Sequence, residues 1–137
     1  MRFALPVLAA VFFTVACKKK FEIIPEGAKQ VSREDKAEAD VSLREYKFTL
    51  NNEIFLCESR DFPDAAKATE AARKAIAERP QEEQKTDNAH FALSGRSIWL
   101  RAGKQLVWCM LTTSGGERIG AAMLPVRELF LKKFKEV

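Results

Sequence analysis

The chain has 137 residues, and its 23 lysines and arginines against 19 aspartates and glutamates give a formal net charge of +4. That excess is too small and too scattered for a nucleic-acid binder, whose basic residues gather on one face. An apolar share of 47% and a charged share of 31% exclude a disordered or fibrous chain and fit one ordinary folded domain.

The N-terminus comes first in chain order. Arg2 supplies positive charge, residues 3–15 form an apolar run, and Thr14-Val15-Ala16-Cys17 closes it with small residues before a cysteine. An export signal needs a basic start, an apolar stretch of about 7–15 residues and a small-residue cleavage site. The run falls short of the roughly 20 apolar residues a spanning helix needs. This segment resembles the bacterial lipoprotein signal peptide. The resemblance implies that residues 1–16 are removed and that Cys17 takes the lipid, as the first residue of the mature chain. It also implies a membrane partner reached through that lipid, on the exported side of the cell membrane or at the outer membrane. Lys18, Lys19 and Lys20 follow directly, and loop cations favour the cytoplasmic side. The alternative is therefore an inner-membrane accessory subunit with an uncleaved anchor and a cytoplasmic body.

Residues 17–40 read as a flexible tether, rich in charge, carrying Pro25 and Gly27 and lacking an apolar period. Such a tether would let a folded body stand away from a membrane. Pro25-Glu26-Gly27-Ala28-Lys29 is similar to the opening of some small exported bacterial domains of unknown role, in which a strand, a helix and further strands follow.

The folded body is expected over residues 41–137. Tyr46, Phe48 and Leu50 recur at period two, the mark of a half-buried strand. Asn51-Asn52 is a turn pair, and the apolar run at residues 54–57 makes the second strand of a hairpin. Asp61 offers an N-cap, Pro63 suits a first turn, and residues 64–79 are alanine-rich and helix-forming. The stripe of Ala65, Ala68, Ala72, Ala75 and Ile76 is thin, so the helix can approach a sheet closely. Pro80 ends it, and residues 81–89 read as a polar loop. Short strands follow at residues 90–93 and 98–101. Gly103-Lys104 suits a type II′ turn, which would set Trp99 opposite Trp108. Residues 105–113 are apolar on both faces and read as a central strand. A further strand is expected at residues 118–124, and Pro125 would open a closing helix over residues 126–135.

The expected fold is α+β, an antiparallel sheet of about five strands with two helices on one face, in the order β-β-α-β-β-β-α. That order resembles profilin-like and PAS-like domains, and fold alone does not carry function.

Few residues suggest chemistry. His90 is the single histidine, and no motif places it beside a nucleophile. No zinc-ligand spacing, calcium loop, P-loop or dinucleotide fingerprint occurs, so no metal or cofactor is expected and no catalytic residue is assigned. With Cys17 lipidated, Cys57 and Cys109 remain as an even pair in an oxidising compartment. They are either bonded to each other or buried as free thiols. Trp99 and Trp108 form a recognition surface if their side of the sheet is uncovered, and core if helices lie over it. The expectation is a lipid-anchored envelope protein that binds or scaffolds an envelope protein or ligand. The enzymatic alternative is a small envelope hydrolase using His90 or a pair of carboxylates.

Overall fold

Asn51 and Asn52 both take positive φ, 52° and 66°, the backbone of a type I′ hairpin turn. They fold β2 (Val41–Leu50) onto β3 (Glu53–Asp61), with Phe48 opposite Phe55 and Tyr46 opposite Cys57. The computed structural model describes residues 23–137. The expected signal peptide at residues 1–16, Cys17 and the start of the tether lie outside the described residues.

Two segments expected to lack regular structure contain strands. Lys29–Glu38, assigned by the sequence to the tether, is strand β1, paired with β2 through a two-residue turn. Every β1 side chain is exposed, so no apolar period announces it. Ion pairs such as Lys36 with Glu45 at 2.8 Å and Arg44 with Asp35 at 3.0 Å line its ladder instead. Ile23, also within the segment assigned to the tether, is fully buried. Within the stretch read as a polar loop lies the short strand β4 (Glu82–Lys85).

After β3, Asp64 caps α1 (Ala65–Ala75), its Oδ1 accepting from the Lys67 N–H at 2.8 Å. Asp61, the expected cap, is the last residue of β3. β5 (Ala89–Ser94), β6 (Ser97–Ala102) and β7 (Gln105–Leu111) follow as hairpins. Gly95 and Gly103, at φ 56° and 60°, hold the first position of each two-residue turn, a position where an L side chain would be strained. The second hairpin sets Trp99 opposite Trp108, as its turn implies.

α2 (Arg118–Glu136) replaces the expected strand at residues 118–124 and contains Pro125 within it. A proline inside a helix removes one hydrogen bond and costs about 3 kcal/mol. Burial of Met123, Val126 and Phe130 at helical spacing on both sides of the proline outweighs that cost.

Among the described residues the strands make one antiparallel sheet in the order β1-β2-β3-β7-β6-β5-β4. The fold is α+β, with seven strands in place of about five and the order β-β-β-α-β-β-β-β-α in place of the profilin-like one. The helices lie on opposite faces, not on one. Phe91, Ile98, Leu100, Val107 and Cys109 pack with α2, whereas their neighbours Ala92, Trp99 and Leu106 pack with α1. Period-two alternation sends adjacent residues to opposite faces, and each helix takes one set.

Candidate functional site

The α2 side is closed. Its core holds Phe48, Phe55, Phe91 and Phe130, all fully buried, with Phe48 and Phe55 stacked at 5.0 Å. Cys57 and Cys109 sit within it, directly opposite on β3 and β7 with Cα atoms 4.1 Å apart, and they form a disulfide. The bond joins the β1–β3 meander to the β4–β7 meander. It also removes both cysteines as nucleophiles. His90 lies on the other face of the sheet, so neither cysteine stands beside it.

The α1 side is different. Registered pairing lays Glu58, Trp108, Trp99, Ala92 and Glu83 in one row across β3, β7, β6, β5 and β4. α1 brings Ala72 and Ile76 onto Leu106 and Ala92, with Phe62, Ala71 and Trp99 at the margin. Alanines allow close approach, so the helix shadows only a narrow band. Trp108, Met110 and Leu56 are half-buried and belong to neither packed cluster. Ile54, 38% exposed, continues their line two residues from Leu56. The sequence left the two tryptophans open between core and surface, and the structure divides them. Trp99 is packed at the margin of α1, and Trp108 lies beyond it on an apolar strip.

Polar groups border that strip. Glu58 is buried and accepts from Trp108 Nε1 at 3.1 Å and from Arg60 Nε at 2.5 Å. Glu34, Glu45 and Glu58 stand in register across β1, β2 and β3. Like charges placed opposite one another repel, and Lys36 and Arg60 offset this at Glu45 and Glu58. A depression of about 360 Å³, lined in part by Glu34, Glu45, Lys47 and Leu56, adjoins the strip.

His90 is also on this side, near the β4 edge. It is buried, and its Nε2 meets Glu83 Oε2 at 2.6 Å. Arg101, directly opposite on β6, is buried too and donates to the backbone carbonyls of Gly103 and Asp87 at 3.0 and 3.3 Å. Burial holds the Arg101 guanidinium below its ordinary value. A histidine oriented by a carboxylate is two parts of a nucleophilic site. The third part is missing, since no hydroxyl or thiol is hydrogen-bonded to His90 among the described residues. No group of three His, Cys, Asp or Glu side chains among those residues could hold a metal.

Glu58 and Leu56 escaped sequence reasoning, whereas alternation along β7 sets Met110 on the Trp108 face. Residues 54–57 read as a continuous apolar run, which hides the face each residue takes. Once Cys57 is assigned to one face, alternation sends Ile54, Leu56 and Glu58 to the other. No family model, curated protein or solved structure matches the chain, so the site is read from its own geometry.

Proposed function

We propose that this is a lipid-anchored protein of the cell envelope that binds a partner through the strip beside α1. One observation carries the binding role. Half-buried Trp108, Met110 and Leu56 and exposed Ile54 adjoin one another outside the cluster packed on α1, and a contiguous apolar patch left partly open on a folded domain marks an interaction site. The carboxylate of Glu58 fixes the Trp108 indole through its N–H, which lowers the ordering cost of using that ring as an anchor. The partner this chemistry suits offers an apolar side chain to the strip and cations to the glutamates along its border.

Two observations support the envelope. The Thr14-Val15-Ala16-Cys17 pattern ends a short apolar run. The Cys57–Cys109 disulfide is of a kind that persists in oxidising compartments and is rare in the cytosol. The hydrolase alternative rests on His90 or a pair of carboxylates, and His90 meets Glu83 at 2.6 Å with no hydroxyl or thiol hydrogen-bonded to it among the described residues.

A photo-crosslinking residue at Met110 tests the binding face in living cells. The expected result is a discrete cross-linked species that is absent with the probe at exposed Lys74 on α1 and lost in Trp108→Ala. Equal cross-linking from Lys74, or persistence in Trp108→Ala, would contradict the assignment.

A further inference from the structure

On its α1 side the sheet is covered unevenly. α1 stands over β6 and β7, with Ala72 and Ile76 on Leu106 and Ala92. At the start of the helix Lys67 meets Asp40 of the β1–β2 turn at 3.1 Å, so α1 crosses the sheet obliquely. Beside it, Ile54 and Leu56 on β3 and Met110 and Trp108 on β7 form the strip. Neighbouring strands lie about 4.8 Å apart, so side chains from two strands make a floor about as wide as one helix with its side chains, roughly 10 Å. Ile54, the Leu56–Met110 pair and Trp108 occupy three successive rows. Two steps of about 7 Å match about nine residues of helix at 1.5 Å each. A second sheet, several strands wide, would run into α1, which already occupies that layer.

The charged border on β1 and β2 adds a second constraint. Glu34 and Glu45 share the single ammonium of Lys36, at 3.9 and 2.8 Å, which leaves one carboxylate charge unmatched. Lys47 lies one row along, opposite Leu56. It is exposed and has no ion pair among the described residues. The border therefore presents a negative and a positive point about 7 Å apart, close to the spacing of residues i and i+4 on a helix.

We infer that the partner contributes one amphipathic α-helix, which lies beside α1 along β3 and β7 and completes the outer layer of the sheet. The inference rests on the binding face proposed above and adds the form of what it binds. The helix presents apolar residues at i, i+3 or i+4 and i+7 to the strip. It sets a lysine or arginine over Glu34 and Glu45 and, one turn away, an aspartate or glutamate over Lys47.

A photo-crosslinking residue placed in the full chain at Ile54 or, separately, at Leu56 maps the occupant in living cells, with the captured residues identified by mass spectrometry. The two positions are about 7 Å apart on one strand. A helix predicts captured residues three or four apart in a single segment of the partner. Lys47→Glu should lower capture at Leu56 by about threefold or more, whereas Lys47→Arg retains it. Captured residues two apart, the spacing of an added strand, or residues scattered over several segments, overturn the helix and leave the binding face standing. Undiminished capture in Lys47→Glu overturns the charge pairing that the helix is inferred to make. Absence of a discrete cross-linked protein at both positions overturns the helix and the binding face together.

Discussion

The two faces of the sheet are built on different terms. On the α2 side, α2 sets Met123, Val126 and Phe130 against a layer of phenylalanines and aliphatics, and these contacts are apolar and buried. On the α1 side, an 11-residue helix offers Ala68 and Ala72, followed by Ile76, and the sheet beneath carries Glu58, His90 and Arg101. Large side chains widen the band a helix can cover, whereas alanines bring it close and cover little. The margin of a narrow cover must then hold residues that tolerate both water and burial. Trp108, with its ring half-buried and its N–H on Glu58, is such a residue. No buried side-chain N or O among the described residues lacks a partner, so the polar side is complete without being closed.

The comparison can be broken most forcefully at the helices. Phe130→Ala should cost about 3–5 kcal/mol in urea unfolding, and Ile76→Ala about 2 kcal/mol, because the α1 site is shallower. Equal losses, or a larger loss at Ile76, would mean that the two covers contribute alike. The disulfide comes next. Reducing Cys57–Cys109 opens a link between residues 52 apart in sequence and should lower stability by about 2–4 kcal/mol, measured as the shift in the unfolding midpoint with and without reductant.

A smaller effect probes β1, which has cover on neither face. Ala39 sits in the β1–β2 turn at φ 51°, a left-handed conformation that costs a residue with a Cβ about 1 kcal/mol or more. Ala39→Gly should therefore stabilise the protein by about 1 kcal/mol, and a loss of thermal stability would contradict the turn. The smallest effect concerns the tie between α2 and β4. Arg127 meets both oxygens of Glu82 at 2.6 and 2.7 Å. The hydrogen bond from Arg127 holds the Glu82 carboxyl below the ordinary 4.5, against the opposing effect of its burial. A carboxylate lowered in the folded state contributes stability that is complete above its unfolded value and is lost as pH falls through its folded value. Between pH 5 and the acid limit, Glu82→Gln should lose less stability than the unaltered protein. Parallel pH profiles would show that the pair contributes nothing.

The sequence displayed elements that have one wet and one dry face. Tyr46 and Phe48 alternate with polar residues, and Gly103 and the Asn51-Asn52 pair mark their turns, so those hairpins and the Trp99–Trp108 register were legible. β1 and β4 were not, because edge strands guarded by charge have no apolar period to read. The first half of α2 read as a strand because Pro125 looked like a boundary, yet tertiary burial on both sides of it decided otherwise. The placement of the helices on opposite faces depends on which strand residues each helix meets, and no local pattern encodes that. The strip was half legible. Two tryptophans announced a surface and alternation along β7 put Met110 beside Trp108, while Leu56 and Glu58 joined it only through pairing between distant strands.

The account centres on an anchored envelope protein, and the intact mass of the membrane-extracted chain, measured beside Cys17→Ala, tests it most directly. The account predicts a chain that begins at Cys17 and is heavier by its acyl groups, with both features lost in the variant. An unmodified chain still carrying Met1 or Arg2 would contradict it and favour an uncleaved anchor with the body in the cytoplasm.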